Sequence, residues 1–245
     1  MQAVPPGVFL IDKPVGPTSF KMVKLVKRAL QIKKVGHTGT LDPFASGLLI
    51  ICSGRPATRI IPQLMDGEKE YTATLKLGVE TDSQDLTGTV IRQHDIICLN
   101  KAWIDDCVAA FVGEQIQKPP YFSALKYQGK PLYYYARKGI KVEKAPRSVL
   151  IKEIEVLEWQ GDLLCIRVVC GKGTYIRTLA ADIGTALGCG AHLVELRRLR
   201  NGCFNVQDAL PGEALTQERQ VVCAFLLKNL LPVDEVIAGC LNNVC

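Results

Sequence analysis

From Tyr71 to Leu77 the chain reads YTATLKL, a strict alternation that puts Tyr71, Ala73, Leu75 and Leu77 on one face and Thr72, Thr74 and Lys76 on the other. In a strand, side chains switch faces at every residue, so this pattern makes one covered face and one wet face. The chain therefore contains a sheet, and Tyr71 begins one of its strands on the buried side. VFLID at 8–12 reads as a second short strand, and IKEIEVLEW with LLCIRVVC as a hairpin closing through Gly161 and Asp162. TVIRQHDI, after the polar loop ETDSQDLTG, reads as a partner strand, while SGLLIICSG is a strand or a buried helical segment that periodicity alone does not separate. Helical spacing appears from Phe20, where Phe20, Val23, Val26 and Leu30 recur behind Thr18 and Ser19, either of which can cap. It appears again near 100–112, in AFLLKNLLP, and after a glycine turn, with Thr174 as cap and Ile176, Leu179, Ile183 and Leu187 inward. Strands and helices together predict an α+β fold.

A chain of 245 residues is long enough to bury a large core without splitting, and its hydrophobic content of 48% excludes a disordered polymer. The longest apolar run, around Leu48 to Cys52, falls far short of the ~18 residues of a membrane span. MQAVPPGVFLIDK is broken by prolines and soon carries charge, so it lacks the pattern of an export signal, and a soluble protein in the cytoplasm is expected. The 10 cysteines are scattered, many beside apolar residues as at 50–52, 96–98 and 163–165, and read as reduced core thiols. No C-x-x-C occurs, and Cys189 with His192 is the only close Cys/His pair, so no metal is expected.

The net charge is +6, and its distribution says more than its size. Lys21, Lys24, Lys27, Arg28, Lys33 and Lys34 occur without an intervening acid, and a second group lies at Arg197, Arg198 and Arg200. Such clusters suit a polyanionic partner, although a solvated face is the more frequent reason for one. Residues 117–148 differ in kind: they mix Lys, Arg, Tyr and Pro with few core aliphatics, as a protruding loop or contact surface does.

The stretch VGHTGTLDPFASGLLII at 35–51 holds an aspartate, Asp42, directly before Pro43. An Asp in that setting caps turns, and it can also do chemistry; local pattern leaves both open. Familiar alternatives fail on spacing. GKGT at 171–174 places glycine after the lysine and is no phosphate-cradling P-loop, GKGTYI lacks the third glycine of a dinucleotide fingerprint, and FASG has Phe44 where a nucleophile elbow needs glycine.

Several ordered stretches resemble the TruB family, the tRNA pseudouridine-55 synthases. VGHTGTLDPFASGLL resembles its catalytic box, FLIDKPVGPTS its Lys-Pro box and GEKEYTATLKLGVETDSQD its tyrosine box. PPYFSALKYQGKPLYYYARKGI is similar to its RNA-gripping thumb, and GKGTYIRTLAADIG with GCGAHLVELRRL to its arginine-bearing boxes. The resemblance runs from about residue 7 to about 235. It implies a mixed, largely antiparallel central sheet flanked by helices, in one catalytic domain over 1–245 with a thumb insertion at about 117–148 and a short C-terminal segment at about 204–245. Family members commonly continue into a PUA domain, which this reading does not include.

The resemblance also implies isomerisation of a uridine to pseudouridine in the T-loop of tRNA, at position 55, without cofactor or metal. Asp42 matches the aspartate that attacks or deprotonates the sugar, Arg177 its cationic partner, and Tyr71 the residue that stacks on the target base. An aspartate in a closed site needs such a cation to stay ionised against desolvation. His37 matches the histidine that fills the gap left by the flipped nucleotide, and Tyr175 and Leu193 line the pocket. Lys13, with Pro14, matches a supporting box, and Lys126 and Arg137 lie in the thumb as RNA contacts. A monomer acting on the T-arm of tRNA is expected. Two other readings are a guide-dependent RNA pseudouridine synthase subunit and a non-catalytic tRNA-binding or folding chaperone.

Overall fold

The computed structural model describes residues 4–96 and 99–241; Cys98 and Cys245, two of the expected thiols, lie outside these. In chain order the first elements are β1 (Gly7–Lys13), α1 (Ser19–Leu30), β2 (Val35–Thr38), β3 (Ser46–Ser53), α2 (Gly54–Arg59), α3 (Ile61–Asp66) and β4 (Lys69–Leu77). They continue through β5 (Val79–Thr81), β6 (Val90–Gln93), α4 (Lys101–Ala109), β7 (Gly113–Gln117), β8 (Lys126–Tyr127), β9 (Lys130–Pro131) and α5 (Leu132–Ala136). The rest are β10 (Arg147–Gln160), β11 (Leu163–Cys170), α6 (Ile176–Ala186), β12 (Ala191–Asn201), β13 (Phe204–Asn205), β14 (Leu210–Pro211), α7 (Arg219–Lys228), β15 (Leu231–Pro232) and α8 (Val233–Val236). Helices and strands together are what the alternating and helical spacings predict, and the mixed, largely antiparallel sheet is what the family resemblance implies.

Contacts gather into two compact units, residues 1–70 with 197–245, and residues 71–196. In the first unit the strand order is β14, β1, β3 and the end of β12, with β15 also on β1, β2 on β3 and β13 on β12. β1 runs antiparallel to β3 from Gly7 opposite Ser53 to Lys13 opposite Gly47, while β12 joins β3 in parallel, Arg198 opposite Gly47. Gly47 is needed there: it has φ +101°, and a Cβ would lie 2.2 Å from the Arg198 carbonyl oxygen. SGLLIICSG is thus a strand as far as Ser53, buried from Gly47 onward, which is why it shows no alternation. Val8, Leu10, Leu48, Ile50 and Cys52 form a core with Ala57, Ile60, Leu64 and Val236.

Helix α1 is capped by Thr18, whose Oγ1 accepts from Lys21 N at 3.0 Å. Ser19 does something else: its hydroxyl donates to Leu41 O at 3.1 Å and accepts from Leu41 N at 2.9 Å, bolting α1 to the loop before Asp42. Phe20, expected inward, is 61% exposed. At 100° per residue it lies away from the buried row of Met22, Val23, Val26, Ala29 and Leu30, so the covered face closes without it.

In the second unit the order is the start of β12, then β4, β11, β10 and β7. β4 alternates buried and half-buried along its whole length, as its sequence requires. β10 and β11 form the expected hairpin, Gln160 opposite Leu163. TVIRQHDI pairs with β5 instead, in a separate ribbon. Within the 117–148 insertion, β8, β9 and α5 bury Leu132 and otherwise rely on rings and cations: Lys130 and Lys138 lie 4.4 and 4.6 Å from the Tyr134 ring, and Lys144 lies 5.0 Å from Tyr127.

One expectation about the cysteines is overturned. Cys203 and Cys240 form a disulfide across a separation of 37 residues, while Cys52, Cys107, Cys165, Cys170, Cys189 and Cys223 are thiols. The local sequence around Cys203, in a turn, gives no view of a partner so far along the chain.

Candidate active site

In the first unit, Asp42 sits in the loop between β2 and β3, where its carbonyl accepts from Ala45 N at 3.1 Å and closes a turn. The turn reading of its backbone therefore holds, alongside whatever its carboxylate does. Three anchors fix this loop. Ser19 grips Leu41, the residue before Asp42. Lys13, fully buried at the end of β1, donates to Pro14 O and Pro17 O at 2.8 Å and reaches Pro43 O at 3.5 Å. Arg198, 2% exposed, donates from Nε to Leu48 O at 2.6 Å and from Nη2 to Gly39 O at 3.2 Å.

The anchors also set the field around Asp42. The Lys13 ammonium is lowered to about 8, chiefly by burial; the Asp42 carboxylate opposes the shift and the Arg198 guanidinium adds to it. Asp42 therefore lies within electrostatic reach of a buried cation of its own unit, which favours the ionised carboxylate. His37 ends on β2 next to Thr38, whose hydroxyl accepts from Asn201 Nδ2 at 3.1 Å. Burial, followed by the nearby Arg198 charge, holds the His37 imidazole below 6.5, so it is neutral at pH 7. Its Nδ1 is buried and has no hydrogen-bond partner among the described residues.

In the second unit, Tyr175 and Arg177 stand at the start of α6, as the spacing predicts. Thr174 is not the cap, because its hydroxyl bonds back to Gly171 O at 3.0 Å and Tyr175 occupies the cap position. The Tyr175 backbone is held instead by Gln117: its N–H donates to Oε1 at 2.9 Å, and its carbonyl accepts from Nε2 at 3.2 Å. Arg147 covers the Tyr175 ring at 4.8 Å. Arg177 and Asp85 form an ion pair at 3.1 Å, each 5% exposed by side chain. The same guanidinium donates to Ser83 O at 3.1 Å and to Phe122 O at 2.6 Å. Asp85 Oδ1 accepts from Ser83 Oγ at 2.8 Å, Thr87 N at 2.9 Å and Thr87 Oγ1 at 2.6 Å, so the ETDSQD loop is folded around this carboxylate. Leu193, fully buried on β12, is tied to the same loop through Gln84 O and Leu86 N, at 3.1 and 2.9 Å. Tyr71 is 9% exposed on β4, and Lys126 and Arg137 lie on the surface of the insertion.

The sequence reading missed Asp85, Gln117 and Arg198. Nothing local marks Asp85 among the acids of its loop. Arg198 carried a signal, because on β12 it shares the parity of buried Leu196. Its neighbours correct the reading of a second basic patch: Arg197 pairs with Asp12 at 2.7 Å, and Arg200 with Glu70 at 3.2 Å and Glu68 at 3.7 Å. A cavity of about 520 Å³ in the second unit opens on the Thr178, Asp182 and Thr185 stripe of α6, where burial pushes the Asp182 carboxyl up to about 6. None of the candidate residues lines it.

Comparison with solved structures gives the class first. The chain superposes on a chain of a Cbf5-Nop10-Gar1 complex with TM-score 0.70 at 31% identity, covering 96% of this chain and 62% of that one. A chain of the archaeal box H/ACA sRNP Nop10-Cbf5 complex gives 0.69 at 29% identity, covering 96% and 62%. This is the fold of a pseudouridine synthase. Residues 27–176 match the TruB family pseudouridylate synthase N-terminal domain, and residues 177–238 match the tRNA pseudouridylate synthase B C-terminal domain, so the chain belongs to the TruB family. It is 60% identical to the tRNA pseudouridine synthase B of Desulfotalea psychrophila, over 94% of this chain and 95% of that one. With its counterpart from Bordetella pertussis it shares 49% identity, over 92% and 93%.

Proposed function

We propose that the protein isomerises the T-loop uridine of tRNA at position 55 to pseudouridine, with Asp42 as the residue that acts on the sugar. The observation that carries this reading is the setting of Asp42: a loop pinned by buried Ser19, Lys13 and Arg198, with the Lys13 charge acting on the carboxylate. A nucleophile or base must be both ionised and held still, and this setting supplies both. In the reaction the N1–C1′ bond breaks, the uracil turns, C5 bonds to C1′, the C5 proton leaves to solvent and N1 takes up a proton, so that the product is an isomer of the substrate. Asp42 either forms an adduct at C1′ or removes a sugar proton toward a glycal.

The nucleotide must first leave its stack, at a cost of a few kcal/mol. His37 fills the vacancy: a neutral, flat ring with an unpartnered buried Nδ1 suits a stacked, hydrogen-bonding insert. Tyr71 stacks on the detached base and assists loss of the C5 proton, and Arg177, oriented by Asp85, is the cation that the family resemblance pairs with Asp42. Tyr175 and Leu193 wall the pocket, Lys13 supports it, and Lys126 and Arg137 contact RNA. The two units act as one catalytic domain, and a monomer is sufficient. No described helix is long and apolar enough to cross a membrane, and we assign the enzyme to the cytoplasm with its tRNA. The Cys203–Cys240 bridge is unusual for a reducing compartment, and trapping thiols at lysis reports its state there.

Tritium release from a C5-labelled tRNA transcript tests the reading. Wild type alone, without guide RNA or partner proteins, releases the label, and Asp42→Asn lowers the rate by at least about 10³-fold. Retained release in the variant would remove Asp42 from the chemistry, and no release by wild type would reject the substrate.

A further inference from the structure

The cations of α1 have a geometry that the catalytic reading does not use. At 100° per residue, Lys27, Phe20, Lys24, Arg28 and Lys21 fall within an arc of roughly 120°, opposite the buried row of the helix. All five are exposed, and Lys24 lies 4.8 Å from the Phe20 ring. Phe20 to Arg28 spans about 12 Å of helix axis. Lys33 and Lys34, also exposed, extend the charge beyond the helix. Among the described residues none of these cations has an ion pair, and the helix carries no acid of its own to supply one. An exposed apolar ring at the N-terminal end of the stripe adds a surface that a plain solvated face does not need.

The position of the stripe matters as much as its charge. The N-terminus of α1 is bonded through Ser19 to Leu41, next to Asp42. Its C-terminus runs directly into β2, which carries His37. Both ends of the helix therefore lead to the loop that receives the target nucleotide, within one unit. We infer that the α1 face, Lys21, Lys24, Lys27 and Arg28 around Phe20, is a second RNA-docking surface that holds the phosphate backbone flanking the target loop. Four cations over that length match the phosphate density of one nucleic-acid strand, about one per 3.4 Å of axis. Their role is to fix register and orientation, not to read sequence. The inference rests on the reading of the protein as an enzyme of RNA.

The test is equilibrium binding of an unmodified tRNA transcript across a salt series, comparing wild type with a Lys21→Gln/Lys24→Gln/Lys27→Gln/Arg28→Gln variant. Loss of four phosphate contacts lowers the slope of log affinity against log salt by about 3.6, about 0.9 for each, and weakens binding by at least about tenfold at low salt. A slope changed by less than about 1 overturns the inference and leaves a solvated face. Because these side chains are exposed, the fourfold variant keeps its thermal midpoint within a few degrees; should it not, the single variants Lys24→Gln and Arg28→Gln are expected each to lower the slope by about 0.9, and for them a change of less than about 0.3 overturns the inference. Tritium release by wild type on the same transcript reports separately on the catalytic reading, so failure of one is distinguishable from failure of the other.

Discussion

Arg197, Arg198 and Arg200 on β12 look in sequence much like Lys21, Lys24, Lys27 and Arg28 on α1, and they do opposite things. The β12 arginines face their own protein: one is buried against carbonyls, and two are paired with acids. The α1 cations face solvent, and among the described residues none of them is in an ion pair. What separates them is the period of the element. On a strand every second residue turns inward, so a run of adjacent arginines cannot all be outside. On a helix, spacings of three and four keep cations together on one face. A basic run is therefore evidence of an anion-binding surface only after the element is known.

Inward cations act as clamps, and their removal costs fold stability; outward cations cost almost none. The largest expected effect is at the fully desolvated pair, where Asp85→Ala leaves the Arg177 guanidinium buried without its counter-charge. A loss of about 3–5 kcal/mol is expected, or roughly 10 °C in thermal midpoint, with the first-turn geometry of α6 disturbed. Arg198→Met strips donors from the Leu48 and Gly39 carbonyls and should cost about 3 kcal/mol in denaturant unfolding, with catalysis falling alongside. A neutral result there would put Arg198 with the surface cations and break the comparison.

Lys13 gives a pH test. Folding lowers it from 10.5 to about 8, so between those values the unfolded chain binds more protons than the folded one. Stability should then rise with pH across that window, by on the order of 2 kcal/mol relative to a Lys13→Met variant, and the difference should be flat below about pH 8. Arg197→Met, which breaks a half-exposed pair with Asp12, should cost no more than about 1 kcal/mol. Lys24→Gln on α1 should fall within about 0.5 kcal/mol in stability and show its effect only in RNA binding.

The strands of the second unit were legible because alternation is a property of the strand itself; β4 and the β10–β11 hairpin follow from it. The helix starting at Ser19 was legible too, but not the exposure of Phe20, since several apolar positions competed for one buried face. Asp42, His37 and Arg177 were singled out through ordered resemblance along the chain, whereas local pattern alone favoured a turn cap for Asp42 and did not exclude chemistry. Asp85 stayed hidden because its partner is 92 positions away. Gln117 was hidden for the same reason, its bonds to Tyr175 crossing 58 positions. The disulfide was misread because apolar neighbours describe a cysteine's surroundings in the chain, not in space.

The separation of Arg198 from the loop it clamps, 150 positions to Leu48, also sets an order of events at the ribosome. Residues 71–196 form a continuous unit that can fold while synthesis proceeds, whereas the first 70 residues wait for the last fifth of the chain. The segment carrying Asp42 is thus made early and finished late. During that interval its apolar strand β3 lacks part of its cover, so the nascent chain's exposure to chaperones and proteases should be concentrated in the half that carries the aspartate.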